Sequence, residues 1–96
     1  MITLPIKKQW FDMIVSGEKK EEYRDYTPYY LSRFGTYFEK RITIRLRNGY
    51  RADSPYAICE VIPHYGYGRA EWGAEPEKKY IVLEIKSVLL GKTPCL

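Results

Sequence analysis

Histidine occurs once in this chain and cysteine twice, as His64, Cys59 and Cys95. That is too few ligands for a four-coordinate structural zinc site without carboxylates. The cysteine spacing gives no disulfide framework. No stretch approaches the ~18 consecutive apolar residues of a membrane span. The opening MITLPIKKQW lacks the sustained apolar region of an export signal. There is no Gly-rich phosphate loop, no internal repeat and no low-complexity segment. Nucleophilic catalysis finds little support, because no Cys–His pair is adjacent and Cys59 falls in a strand-like alternation as a small apolar group. These absences lead us to expect a soluble, reduced, cytoplasmic protein with no metal, no cofactor and no membrane partner.

What is present fits one domain over residues 1–96, near the common size of a folding unit. Tyrosine is the outlier, with ten residues beside two Trp and three Phe. Its flat ring and polar tip serve in cores, at interfaces and under stacked bases. The net charge is +4 and is concentrated. Between Glu39 and Arg51 lie Lys40, Arg41, Arg45, Arg47 and Arg51 against one acid, as much net charge as the whole chain. A basic stripe of this kind suits a polyanion. An ordinary charged strand face accounts for it equally well.

Periodicity predicts about five strands and two short helices, the helices in the N-terminal half. MITLPI reads as a strand with Ile2, Leu4 and Ile6 on one face, Pro5 placing it at an edge or an end. KKQWFDMIVSG has helical spacing at Trp10, Phe11, Ile14 and Val15, and Gly17 sits where a helix ends. Residues 20–25 then read as a strand, with Lys20, Glu22 and Arg24 on one face and Glu21, Tyr23 and Asp25 on the other. TPYYLSRF has a helix start at Thr27 and Pro28, with Gly35 to end it. RITIRLR alternates, with Ile42, Ile44 and Leu46 inward and Arg45 and Arg47 outward, and Asn48-Gly49 signals a turn. PYAICEVI is the next strand, PHYGYGRAEWGAEPEK reads as a long loop, and KYIVLEIKSVLL is the last strand, with Ile81, Leu83 and Ile85 inward. The sum is an α+β fold with a small, mostly antiparallel sheet able to curl into a barrel.

Three stretches hold candidate chemistry. In SGEKKEEYRDY seven of eleven residues are charged. Glu22 and Arg24 share a face roughly 7 Å apart, with Lys19 at the adjacent turn. A carboxylate can accept from a base's exocyclic amine, and the two cations can donate to a ring nitrogen or carbonyl. Spacing alone favours a plainer reading, an exposed pair worth about 0–1 kcal/mol. In RLRNGY, Arg45, Arg47 and Tyr50 could grip a phosphate and stack a base. A charged hairpin explains all but Tyr50. In HYGYGRAEWGAE, glycines interleaved with His64, Tyr65, Tyr67 and Trp72 suit a mobile aromatic loop, or Trp72 plugs one end of the core.

Gly17-Glu18-Lys19-Lys20-Glu21-Glu22-Tyr23-Arg24 resembles the G-x-K-x-x-E-x-R signature of ASCH domains, in the PUA-like superfamily. It follows an amphipathic helix, as in that family, and the RNGY and EWGAE tracts resemble those of small stand-alone bacterial and phage members. The resemblance spans nearly the whole chain. It implies a PUA-like β-barrel with a cleft holding Lys19, Glu22 and Arg24, and RNA or a nucleotide as ligand. Arg45, Arg47 and Tyr50 would extend the surface and Trp72 would gate it. Some relatives hydrolyse N4-acetylcytidine, with Thr as the proposed nucleophile where this chain has Glu22, and a carboxylate does not replace that hydroxyl. Ribonuclease activity has also been proposed for the family. If this chain is an enzyme, Lys19 and Glu22 are its acid–base pair. A protein-interaction module using the Tyr-rich surface is the third expectation.

Overall fold

The computed structural model describes residues 1–90, so Cys95 lies outside the described residues. The fold is α+β, a curled five-stranded sheet with two helices in the N-terminal half. The elements are β1 (Ile2–Ile6), α1 (Lys8–Val15), β2 (Glu21–Arg24), α2 (Pro28–Phe34), β3 (Ile42–Asn48), β4 (Tyr56–Tyr67) and β5 (Lys79–Leu90). The strand order is β1-β3-β4-β5-β2, with β1 parallel to β3 and every other pair antiparallel. The sheet's two edges are therefore β1 and β2, the two short strands that flank α1.

Local chemistry sets the helix ends. Gly17 adopts φ +87°, which lets the Lys19 N–H reach back to the Met13 carbonyl at 2.9 Å and close α1. Thr27 Oγ1 accepts from the Tyr30 N–H at the start of α2, with Pro28 at the first helical position. Gly35 keeps a right-handed conformation, so the chain passes from α2 into a 3₁₀ turn, Gly35–Tyr37.

The main core lies inside the curl. Phe11 and Ile14 of α1 and Phe34 of α2 pack on Leu4, Ile44, Leu46, Cys59, Val61, Ile81 and Leu83. A smaller cluster of Tyr23, Ala74, Tyr80 and Val82 lies on the outer face. There the 68–78 segment folds over the sheet. Gly68 is pressed so closely between the Tyr23 ring and Ala74 that a Cβ would lie 2.6 Å from each.

One sequence expectation is corrected here: residues 63–67 belong to a strand, because β4 continues to Tyr67, paired with β5 as far as Lys79. β3 ends its pairing at Ile42↔Val61, so the missing N–H of Pro63 breaks no ladder on that side. The Pro63 carbonyl instead accepts from the Glu39 N–H at 2.8 Å. In β5 the expected inward residues Ile81, Leu83 and Ile85 do face the core, and the parity changes only beyond them. A register shift at Glu60/Val61 pairs Glu60 with Ser87 but Val61 with Ile85. Ile81 and Leu83 are buried, Ile85 is half-buried, and beyond the bulge Val88 packs on the core while Leu89 is exposed. The Asn48-Gly49 turn is present, with Gly49 at φ +123°, but it opens a longer connection over residues 49–55.

Cys59 is fully buried, and burial pushes its thiol up from 9.0 to about 11. The folded chain therefore keeps a proton that the unfolded chain releases above pH 9. The associated stability is complete below pH 9 and is lost as the pH rises through about 11. A shift of this size corresponds to about 3 kcal/mol. Urea midpoints of the wild type should fall more steeply between pH 9 and 11 than those of Cys59→Ala. Parallel pH profiles for the two proteins would refute this.

Candidate functional site

Glu22 opposes Leu83 and Arg24 opposes Ile81 across the β2–β5 ladder. Residues directly opposite in register point to the same face, so both charged side chains project toward the core side. Glu22 is buried among a lysine and an arginine. Glu22 Oε1 lies 3.3 Å from Lys19 Nζ, and Glu22 Oε2 accepts from Arg24 Nη2 at 2.8 Å. The cluster thus holds two cations on one carboxylate.

Lys19 is the most deeply placed of the three, with none of its side chain exposed. Its ammonium donates to the Trp72 carbonyl at 2.6 Å and lies 4.7 Å from the Tyr23 ring and 5.1 Å from the Trp10 ring. Burial lowers the lysine's proton affinity, and the Glu22 carboxylate beside it works in the opposite direction. The Trp72 carbonyl is aimed by the Ala70–Trp72 3₁₀ turn and by Gly73 at φ +100°. This turn is tied to β2 by the Tyr23 hydroxyl, which accepts from the Arg69 N–H at 2.9 Å and donates to Glu21 Oε1 at 2.8 Å. Burial raises the Tyr23 hydroxyl well above its ordinary range, so it stays protonated and keeps both bonds.

Arg24 joins the sheet's two edges. Its Nη2 donates to the Pro5 carbonyl of β1 at 2.9 Å as well as to Glu22, and Nη1 donates to the Tyr30 hydroxyl of α2 at 3.3 Å. Its Nε is buried without a hydrogen-bond partner. One guanidinium therefore closes a gap in the curl that no backbone ladder spans.

A cleft of ≈ 430 Å³ opens at this gap. Glu22 and Arg24 line it together with Pro5, Lys7, Lys8, Trp10 and the Asn48–Tyr50 turn. The rim is basic through Lys7 and Lys8 and aromatic through Trp10 and Tyr50. Tyr50 is almost fully exposed. A larger hollow of ≈ 510 Å³ lies at the N-terminal ends of β1 and β3. Its lining includes Arg33, stacked 4.8 Å over Tyr29, but none of the buried charged cluster. The convergent charges lie in the smaller cleft, which makes it the candidate site.

The structure brings Glu22, Arg24 and Tyr50 to one cleft, with Lys19 behind Glu22 and outside the lining. It does not bring Arg45, Arg47 or Trp72 there. Arg45 and Arg47 alternate with the buried Ile44 and Leu46 and so project from the sheet's other face. Arg45 stacks 4.9 Å from the Tyr56 ring, with Nε buried and unpartnered. The Trp72 ring lies 5.0 Å from Arg69, and its carbonyl is what serves the cluster. Sequence reasoning missed Lys7, Lys8 and Trp10. Helical spacing places Trp10 in the apolar stripe of α1, and the available signal for the rim is the basic pair Lys7-Lys8 between a strand end and a helix start. Among the described residues there is no group of three or more His, Cys, Asp or Glu placed to hold a metal, and no helix long and apolar enough to cross a membrane. No family model, no curated protein and no solved structure matches this chain.

Proposed function

We propose that this chain is an ASCH-like domain that binds a nucleotide or RNA in the cleft over Glu22 and Arg24, acting in the cytoplasm. The observation carrying this reading is a single carboxylate fixed between two cations on the floor of a basic, aromatic-rimmed cleft. Each Glu22 oxygen has a second lone pair free in principle to accept an exocyclic amine from a base edge. Trp10 and Tyr50 offer faces for stacking, and Lys7 and Lys8 offer charge to a phosphate. The cleft volume suits a ligand of nucleotide size. Lys19, enclosed on every side, orients Glu22 rather than meeting the ligand.

The expected result is salt-dependent binding of short single strands and of at least one nucleoside monophosphate. Lys7→Gln should reduce the salt slope of single-strand binding by about 0.7, the share of one phosphate contact. Tyr50→Ala should weaken binding about tenfold if its ring stacks a base. Fluorescence titration across a salt series measures both. Absence of binding for every nucleobase at low salt would overturn the reading.

A second reading is hydrolysis of a modified nucleoside such as N4-acetylcytidine or of single-stranded RNA, with the Glu22 carboxylate that lines the cleft as the acid–base group and Lys19 holding it in place from behind. Incubation with each substrate tests it, and turnover surviving in Lys19→Met would remove Lys19 from any such mechanism.

A further inference from the structure

Tyr26, Tyr65 and Tyr67 stand outside the cleft and are 49, 46 and 62 % exposed. The Tyr26 and Tyr65 rings meet at 4.5 Å with an interplanar angle of 51°. Lys79 lies directly opposite Tyr67 in the β4–β5 register. Its ammonium sits 5.2 Å from the Tyr65 ring and 5.4 Å from the Tyr67 ring. Among the described residues Lys79 has no carboxylate within ion-pair distance. Two exposed rings around one unpaired cation, with the Tyr26 ring packed on the first of them, form a ledge that the core does not require.

The ledge lies on the same face of the sheet as the site. Tyr65 opposes Ile81, and Ile81 opposes Arg24, so all three point to one side. Two strand spacings separate the backbones of Tyr65 and Arg24, about 10 Å. Tyr26 follows Arg24 by two residues. Flat rings alternating with a cation match the alternation of base and phosphate along a single strand, and stacking accepts any base.

We infer that the Tyr26–Tyr65–Tyr67–Lys79 ledge carries the bases of a single-stranded nucleic acid that flank the nucleotide held in the cleft. This rests on the cleft reading above and extends it, because the ligand is then a strand rather than a mononucleotide. Lys79 neutralises a phosphate between the stacked bases, and the tilted Tyr26–Tyr65 pair opens to admit one of them.

Anisotropy with labelled oligouridylate and oligoadenylate, beside titration with the matching mononucleotides, tests the assignment. The oligonucleotides should bind at least about tenfold more tightly than the mononucleotides. Tyr65→Ala should weaken oligonucleotide binding about tenfold and leave mononucleotide binding unchanged, while Tyr65→Phe, which keeps the ring, restores it. Lys79→Gln should lower the salt slope by about 0.7. Oligonucleotide affinity unchanged in both Tyr65→Ala and Tyr67→Ala overturns the ledge, as it would if these rings met a protein. Oligonucleotide binding lost in Tyr65→Ala but untouched in Lys7→Gln and Tyr50→Ala supports the ledge while overturning the cleft. Failure of every oligonucleotide to bind the wild type overturns both.

Discussion

Glu22→Leu is expected to destabilise the protein by about 3–5 kcal/mol, the usual cost of leaving a buried charge without its counter-ion. A domain of this size has roughly 5–15 kcal/mol in total. In the variant the Lys19 ammonium keeps the Trp72 carbonyl and two aromatic faces, and it has no anion. Lys19→Met should cost less, about 1–3 kcal/mol, because Glu22 retains Arg24 and only the Trp72 carbonyl loses its donor. The double variant should be more stable than Glu22→Leu alone, since it removes the stranded cation. That non-additivity is the signature of a coupled pair. The pH dependence has a definite sign. A lysine whose folded proton affinity lies below its unfolded value of 10.5 costs stability while charged. The cost disappears as the pH rises through the folded value towards 10.5. The deficit of Glu22→Leu relative to wild type should therefore narrow between neutral pH and pH 10 in urea denaturation. A Glu22→Leu protein as stable as Lys19→Met would show that the cluster is solvated and carries no such coupling.

The asymmetry between these variants bears on what the sequence could reveal. Strand β3 was legible because Ile42, Ile44 and Leu46 alternate with Arg45 and Arg47, and the Thr27-Pro28 start of α2 was legible from capping chemistry alone. Gly17 and the charged run after it predict a helix end followed by a strand with Glu22 and Arg24 on one face, and β2 has that form. The side on which that face lies was not legible. β2 is four residues with no aliphatic side chain, so no hydrophobic pattern marks its inside. Its charged pair faces the core side while Tyr23 faces out, the reverse of the usual patterning. That reversal also separates Arg45 and Arg47 from the cleft, because outward on β3 and inward on β2 are opposite sides of one sheet. The bulge at Glu60/Val61 and the strand through Pro63 and Gly66 were hidden for a related reason. Both depend on which neighbouring strand is present at that level, a property of pairing rather than of local composition.

Arg24→Met should have the largest effect on ligand binding. The side chain spans Glu22, the Pro5 carbonyl and the Tyr30 hydroxyl, so it sets both the charge of the cleft floor and the distance between the sheet's edges. Its removal leaves one cation on one carboxylate. If an anionic ligand draws on the surplus charge, affinity should fall about 10- to 150-fold, the equivalent of one charge-assisted hydrogen bond at 1.5–3 kcal/mol. Stability should fall by roughly 1–3 kcal/mol, because the Pro5 carbonyl and the Tyr30 hydroxyl each lose a donor. Arg24→Lys separates the two roles. An ammonium restores the charge, but it cannot reach three acceptors with the geometry of a planar fork. This variant should therefore recover most of the ligand affinity while remaining as unstable as Arg24→Met. Amide exchange in β1 should quicken in both variants, since β1 is held on one side by its ladder to β3 and on the other by this guanidinium. Unchanged affinity in Arg24→Met, with exchange in β1 quickened as expected, would leave Arg24 as the clasp between the two edges and move the ligand site elsewhere.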